Sequence, residues 1–161
     1  GSEMCIRDRL AASLKIGARL GGASVEDADR LYDFGMHIGV AFQLKDDLLD
    51  VYGDPAVFGK NIGGDILCNK KTYMLIKALE RADRDQLEGL NHWLSTTSFC
   101  PEEKISAVTE LYTQIGIKAV CENKMREYYT RAMTSLGAVS VIEDKKSELK
   151  KLMKHLMYRE M

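Results

Sequence analysis

The sequence predicts an all-α protein. Its 161 residues include only two prolines, Pro55 and Pro101, and no stretch alternates polar and apolar residues long enough to indicate a strand. Several long segments instead repeat apolar residues at the three-to-four-residue spacing of a helix that is packed on one side. A hydrophobic share of 45% beside 29% charged residues is sufficient for one core in a globular domain.

The N-terminal part predicts two helices separated by a glycine turn. The stretch "LAASLKIGARL" is followed by Gly21 and Gly22, which typically end a helix. Ser24 is a good N-cap for the second helix, whose apolar pattern extends over residues 25–51.

The rest of the chain predicts a turn-rich stretch and then further helices. Residues 52–65 are rich in glycine and indicate a loop. The next two helices are expected over residues 69–82 and 84–94, and Pro101 suits the first turn of the one after. Two more helical patterns follow, "IKAVCENKMREYYTRAMTSLGAV" and the basic "SELKKLMKHLMYRE".

Charge and cysteine usage narrow the class of partner and compartment. The formal net charge of −1 gives no general attraction to nucleic acid or to an anionic membrane. No apolar run approaches the ~20 residues that a membrane-spanning helix needs. The four cysteines form no CxxC pair, and the first residues show no signal-peptide pattern. We therefore expect reduced thiols, a cytoplasmic location, no integral membrane segment and no nucleic-acid partner.

Three acids stand out in "FQLKDDLLDVYGD", because the stretch otherwise reads as a buried helix. On a helical wheel, Asp46 and Asp50 fall within about 60° of each other together with Gln43 and Gly39, and Asp47 lies about 100° from Asp46. Apolar residues occupy most of the remaining circumference. Lys45 falls on the opposite side of the wheel from the acids, so it is not assigned a ligand role.

Two interpretations of these acids are open. They form a solvated stripe, as acids on a helix usually do, or they face a polar cavity in which a divalent cation cancels their repulsion. The narrow polar arc favours the second, and carboxylates at this spacing suit Mg²⁺, which also binds substrate phosphates.

The next segment, "GDPAVFGKNIGGDILCNKKT", strengthens the second interpretation. It supplies Lys60, Lys70 and Lys71, and lysine is a compact charge that can hold phosphate oxygens. A metal ion combined with lysines indicates a doubly charged diphosphate group as the ligand. The motif GxxxxGK[ST] is absent, which disfavours a nucleoside triphosphate.

These stretches resemble the trans-isoprenyl diphosphate synthases, or polyprenyl synthetases, which include farnesyl and geranylgeranyl diphosphate synthases. "GVAFQLKDDLLDVYGD" is similar to the family's second aspartate-rich motif, FQxxDDxxD, and "FGKNIGGDILCNKKT" is similar to its GK…D…K segment. "LAASLKIGA" is similar to the stretch before the family's glycine-rich turn, so the resemblance covers about residues 10–80.

The resemblance implies an all-α bundle of the isoprenoid synthase type around a central cavity. It implies that Asp46, Asp47 and Asp50 bind Mg²⁺ on an allylic diphosphate. The metal would stabilise the departing pyrophosphate, and isopentenyl diphosphate would then attack the allylic cation.

The resemblance assigns further residues to the substrate. Lys60 and Lys70 match the lysines that hold the diphosphate, with Lys71 a weaker candidate, and Phe42 and Gln43 match positions that line the reaction site. Asp46, Asp47 and Lys60 are thus the expected catalytic groups, and Mg²⁺ is the expected cofactor.

The family's first aspartate-rich motif and its isopentenyl-diphosphate-binding basic residues do not precede Leu10. We therefore interpret residues 10–161 as the C-terminal half of a synthase domain, a partial bundle, and residues 1–9 as a tag or gene-boundary junction. Two functional hypotheses follow.

The first hypothesis is Mg²⁺-dependent prenyl transfer. The second is a helical fragment without turnover, which binds at most Mg²⁺ and diphosphate and self-associates through uncovered apolar faces. Either way a homo-oligomer is expected. A terpene cyclase is a related alternative, which the lysine-bearing segment disfavours.

Overall fold

The computed structural model describes residues 2–58 and 62–157, with side chains for residues 7–56 and 62–157. All regular secondary structure in these ranges is helical, which confirms the predicted class. The helices are α1 (Ser2–Leu20), α2 (Val25–Tyr52), α3 (Pro55–Phe58), α4 (Gly64–Leu67), α5 (Tyr73–Arg81), α6 (Arg84–Ser95), α7 (Pro101–Ile115), α8 (Ile117–Gly137) and α9 (Glu143–Met157).

The turn between α1 and α2 forms as predicted. Gly22 has a φ of 83°, a conformation that favours glycine and ends α1. The Ser24 hydroxyl accepts a hydrogen bond of 3.1 Å from the Asp27 amide and so caps α2. Helix α2 ends one residue beyond the prediction.

The predicted start of the next helix, at residue 69, is wrong, because α5 begins at Tyr73. Asn69 has a φ of 51°, which lies outside the right-handed helical region. The true N-cap is Thr72, whose hydroxyl accepts a hydrogen bond of 3.2 Å from the Leu75 amide. The stretch predicted as a loop, residues 52–65, also contains α3 and the beginning of α4. Helix α9 begins at Glu143, four residues before its predicted start.

The chain divides into two compact units, which are described separately. Within the described residues, the first comprises 2–43 and 124–157, and the second comprises 44–58 and 62–123. The core of the first unit combines side chains of α2, α8 and α9. Its buried members are Phe34, Ile38, Ala41, Ala132, Leu136, Met153 and Met157.

Helix α1 packs closely on a glycine surface of α2 in the first unit. A Cβ atom at Gly35 would lie 2.7 Å from the Cα of Ala11, and one at Gly39 would lie 2.8 Å from the Cγ of Arg7. Any larger side chain at these two positions would push α1 away, so glycine sets the distance between the helices. Residues 2–9, interpreted above as a junction, form the first turns of α1.

Asp27 anchors the connection between α8 and α9 within the first unit. Its carboxylate accepts hydrogen bonds from the Ser140 amide at 3.0 Å and hydroxyl at 3.2 Å, and from Arg30 at 2.9 Å. The Ser140 amide, followed by Arg30 and the Ser140 hydroxyl, lowers the pKa of Asp27 despite its burial. The ionised carboxylate therefore holds this connection in place.

We predict that the stability of the first unit falls with acid because of Asp27. A carboxyl whose pKa is lower in the folded state stabilises the fold at neutral pH and loses that contribution as pH falls from about 4 through the folded pKa. Urea unfolding between pH 7 and pH 3 should show lower stability at pH 7 and a weaker pH dependence in Asp27→Asn. Asp29→Asn, which removes an exposed acid two residues away, is the control; equal pH profiles for wild type and Asp27→Asn would contradict the assignment.

Helix α7 organises the second unit by packing against α4, α5 and α6. Pro101 occupies its first turn, as predicted, and Gly116 ends it with a φ of 80°. A capping box holds the start of helix α6. The Asp83 carboxylate accepts a hydrogen bond of 2.9 Å from the backbone amide of Gln86, and the Gln86 side-chain oxygen accepts one of 3.0 Å from the backbone amide of Asp83. These local signals fix α6 and α7.

Gly63 joins the segment before α4 to α7. Its φ is 86°, and a Cβ atom at this position would lie 2.6 Å from the Cδ1 of Ile105 on α7. Both the backbone conformation and the available space therefore require glycine. The amide of Gly63 donates a hydrogen bond of 2.6 Å to the Asp50 carbonyl at the end of α2.

We predict that Gly63→Ala lowers the free energy of unfolding by about 1–3 kcal/mol, because alanine meets both a strained φ and Ile105. Chemical denaturation measures the change. Gly17→Ala is the matched control, since Gly17 lies within α1 with open space around it; there alanine should stabilise by up to about 1 kcal/mol. A neutral or stabilising Gly63→Ala would contradict the conformation assigned to this turn.

Candidate functional site

The last turns of α2 combine buried apolar residues with half-buried acids. Leu48 and Leu49 are 1% and 2% exposed, whereas Asp46, Asp47 and Asp50 are of intermediate exposure. The helix is therefore packed on its broad side and carries the acids on the remaining arc, as the apolar pattern predicts. The acids are not a fully solvated stripe.

Lys70 lies between two carboxylates from different elements. Its Nζ is 3.5 Å from the Oδ1 of Asp47 on α2 and 3.3 Å from the Oδ2 of Asp65 on α4. The backbone amide of Lys70 also donates to the Asp65 carbonyl at 2.9 Å. Lys70, a predicted diphosphate-binding residue, thus lies beside one of the predicted metal-binding acids and beside a further acid, Asp65.

Asp65 is the site residue that sequence reasoning missed. It follows two glycines in "GGD", which reads as part of a turn. A signal was nevertheless present, because the GK…D…K segment places an aspartate five residues before the second lysine.

Asp50 ties the end of α2 to the start of α4. Its Oδ2 accepts a hydrogen bond of 2.9 Å from the Asp65 amide, while its own carbonyl accepts from Gly63. The amide of Asp65 belongs to the first turn of α4, where amides lack helical partners and attract negative charge. One carboxylate of the predicted metal set therefore also has a structural task.

Asp47 influences two buried groups from neighbouring helices. Burial raises the pKa of Tyr112, which is 3% exposed. Smaller contributions in the same direction come from Tyr52, Asp65 and Asp47. Burial, with a further contribution from Asp47, raises the pKa of Cys121 to about 12. Both groups are therefore neutral at physiological pH and add no charge beside the acids.

Lys45 is excluded from this site, as the helical wheel predicts. It is 6% exposed, and burial lowers its pKa while Glu122 on α8 opposes the shift and Lys118 adds to it. Its charged neighbours thus come from α8, whereas those of Lys70 come from α2 and α4.

The other predicted site residues occupy different situations. Phe42 and Gln43 are half-buried on α2 within the first unit, and their role at a reaction site stays a prediction. Lys71 is exposed. Lys60 lies outside the described residues.

The acids fit a metal ion that is completed by substrate oxygens. Among the side chains that the structure describes, no three His, Cys, Asp or Glu residues converge into a closed metal-binding group. Mg²⁺ usually binds through one or two carboxylates together with waters and phosphate oxygens, so an open set of half-buried carboxylates is compatible with it. The donors Asp46, Asp47 and Asp50 are hard oxygen ligands of the kind Mg²⁺ prefers.

An all-α fold that brings an acid-rich helix beside a lysine defines a class of proteins suited to anionic ligands that bind together with a metal cation. The polyprenyl synthetase family model matches residues 9–112. The chain therefore belongs to the polyprenyl synthetase family.

Relatives with known names agree with this membership. The chain is 39% identical over 107 residues to the short chain isoprenyl diphosphate synthase of Methanothermobacter thermautotrophicus, covering 66% of this chain and 32% of the relative. It is 34% identical over 134 residues to the geranylgeranyl diphosphate synthase of Sulfolobus acidocaldarius, covering 83% and 40%. The chain thus spans less than half the length of these relatives.

Solved structures share the fold. A geranylgeranyl pyrophosphate synthase crystal structure superposes with a TM-score of 0.84 and 32% identity, covering 94% of this chain and 47% of that one. The Corynebacterium glutamicum enzyme, complexed with isoprenyl diphosphate and magnesium, gives a TM-score of 0.79 and 31% identity, with coverages of 89% and 41%. The predicted isoprenoid synthase type of helical fold is confirmed.

A search of the described helices finds none that is both long and apolar enough to span a membrane.

We predict that Asp50 stabilises the turn before α4 through its hydrogen bond to Asp65. Asp50→Ala removes the acceptor and should lower the free energy of unfolding by about 1 kcal/mol or more relative to Asp50→Asn, which keeps an oxygen acceptor. Urea denaturation of both variants measures the difference. Equal stability of the two variants would show that this hydrogen bond does not hold the turn.

Proposed function

We propose that this chain carries the allylic-diphosphate-binding part of a Mg²⁺-dependent prenyltransferase that acts in isoprenoid biosynthesis. The observation that carries the proposal is the arrangement of Asp47, Lys70 and Asp65, in which a half-buried ammonium lies between carboxylates of two elements. Family membership supplies the reaction class, and this arrangement supplies the charges that a metal-bound diphosphate needs.

Asp46, Asp47 and Asp50 are the residues that would hold Mg²⁺. Asp50 would contribute while its Oδ2 also binds the Asp65 amide, so the metal-facing acids and the turn before α4 would be positioned together. When bound, Mg²⁺ would neutralise charge on the diphosphate and thereby make it a better leaving group.

Lys70 would bind the diphosphate oxygens, together with Lys60. The Lys70 ammonium contacts two carboxylates, which hold it near the acids of α2. A bound diphosphate would compete with these carboxylates for the ammonium, and Lys70 would then stabilise the negative charge that develops as pyrophosphate leaves.

The proposed reaction breaks the bond between the allylic carbon and the diphosphate oxygen, and the electron pair leaves with pyrophosphate. The double bond of isopentenyl diphosphate then attacks the allylic cation, and loss of a proton completes the lengthened product. Phe42 and Gln43 are proposed to line this reaction site, where exclusion of water would protect the cation.

Two further expectations accompany this function. A cytoplasmic location stays a prediction. So does homo-oligomer formation, which is supported by exposed apolar side chains such as Ile16 and Leu20 on α1, at 59% and 85% exposure.

We predict that the chain binds pyrophosphate only with Mg²⁺ and that Lys70→Met weakens this binding by about tenfold or more, because it removes a charged partner of the phosphate oxygens. Isothermal titration calorimetry measures both effects, with EDTA as the metal-free condition. Lys77→Met is the matched control, since the side chains of Lys70 and Lys77 are 32% and 31% exposed and both are ion-paired. Metal-independent binding, or equal losses in both variants, would refute the assigned site.

Turnover is a separate question that the same protein preparation answers. Adding an allylic diphosphate, isopentenyl diphosphate and Mg²⁺ and analysing products separates the two functional hypotheses. Product formation by this chain alone would refute the alternative of a binding-only chain, whereas Mg²⁺-dependent binding without product would support it.

A further inference from the structure

Lys104 is a fully buried lysine that the proposed reaction does not use. It lies on α7, is 1% exposed, and its Nζ donates a hydrogen bond of 2.7 Å to the Oδ1 of Asn69. The same Nζ is 4.3 Å from the centre of the Phe99 ring. Because burying an ammonium is costly, a lysine at such a position indicates that its contacts perform a task.

Asn69 links three elements of the second unit. Its side-chain amide donates to the Leu94 carbonyl of α6 at 3.1 Å, while its oxygen accepts from Lys104 of α7. Its backbone φ of 51° is a left-handed conformation that asparagine tolerates better than most residues. The connection between α4 and α5 is therefore fixed from two sides at Asn69.

Lys70 is the next residue after Asn69. Rotation of the backbone at Asn69 would move the Lys70 side chain, and no regular helix constrains Lys70, because α4 ends at Leu67 and α5 begins at Tyr73. The position of the Lys70 ammonium, at 3.5 Å from Asp47 and 3.3 Å from Asp65, depends on this connection.

Direct contact of Lys104 with a diphosphate does not fit the structure. Lys104, Asn69, Lys70 and Asp65 line a common space of only about 10 Å³. That volume accommodates about one water molecule. Asn69, the hydrogen-bond partner of Lys104 and the neighbour of Lys70 in the chain, offers an indirect route from Lys104 to the ligand.

We propose that Lys104 is a positioning residue, which through Asn69 holds Lys70 in the orientation that binds the diphosphate. This role rests on the proposed function for its ligand, but the orientation of Lys70 can be measured without any ligand. Ile105, the next residue of α7, contacts Gly63 before α4. Successive residues of α7 thus fix both ends of the segment that carries Asp65.

The first arm of the test is a double-mutant cycle on Mg²⁺-dependent pyrophosphate binding, measured by calorimetry on folded protein. Lys104→Met should weaken binding by about tenfold, as is typical when a group that holds a ligand-binding residue is lost. In a Lys70→Met background the same substitution should have no further effect, because its effect passes through Lys70. Additive losses would overturn the proposal.

Asn69→Gly tests the same link without relying on Lys104. Glycine accepts the φ of 51° but lacks both side-chain hydrogen bonds. The variant should therefore reproduce the loss in affinity that Lys104→Met shows. Lys45→Met is the matched control, because Lys45 is a buried lysine of the same unit whose charged neighbours are Glu122 and Lys118; it should leave the affinity of the folded protein unchanged.

A second arm needs no ligand and so separates this proposal from the proposed function. Acylation of lysines by a succinimidyl ester, followed by mass spectrometry, reports the accessibility of Lys70, with Lys77 as the internal reference. Lys104→Met should raise the rate at Lys70 by about two- to fivefold, as expected when an ion pair is lost. An unchanged Lys70 rate in Lys104→Met and in Asn69→Gly would overturn the positioning role. A failure of the wild-type chain to bind pyrophosphate, with the rate raised, would refute only the proposed function.

Discussion

Charge balance around the Lys70 ammonium is the constraint on which the candidate site of the second unit depends. Asp46, Asp47 and Asp50 lie within two turns of α2, and like charges this close raise the free energy of a fold in which they are half-buried. Lys70 offsets that repulsion at Asp47 and brings a fourth acid, Asp65, to the same place. Loss of the Lys70 ammonium would leave the repulsion at Asp47 and Asp65 uncompensated.

Such an arrangement is compatible with ligand exchange because its parts are only half-buried. Ion pairs at this level of exposure contribute modestly to stability, typically up to about 1 kcal/mol, so a multiply charged ligand can replace them at small cost. The neutral state of Tyr112 and Cys121 helps, since neither adds a competing charge beside Asp47. Under the proposed function, a metal-bound anion would replace the contacts between the carboxylates and the ammonium.

Local signals in the sequence were sufficient to predict α2 and its acids. The Ser24 cap and a continuous apolar pattern define α2 within one residue, and the same pattern assigns Lys45 to the opposite side from the acids. The family resemblance assigns Lys70 and these acids to the same diphosphate; Lys70 lies 3.5 Å from Asp47, and its role stays a prediction. The prediction failed at residues 69–72, which precede the observed start of α5 at Tyr73.

The reason for that failure is that the conformation of Asn69 depends on residues distant in sequence. Its left-handed backbone is held by Leu94 and Lys104, which lie 25 and 35 positions away, and no local pattern reports them. The hydrogen bond from Asp65 to Asp50, over 15 positions, was likewise invisible, so the structural task of Asp50 could not be inferred. Local propensity decides the helices, and long-range partners decide the connections between them.

The contacts of α7 with Gly63 and Asn69, at the two ends of the segment that carries Asp65, also constrain how the sequence of this protein can change in evolution. Lys104 is hydrogen-bonded to Asn69, and the side chain of Ile105 occupies the space that a Cβ atom at Gly63 would need. A substitution at one member of either pair is best tolerated when the other member also changes. Sequence change in α7 is therefore coupled to sequence change in the segment that carries Asp65. Covariation between α7 and the segment before α5 should therefore be the evolutionary record of this architecture.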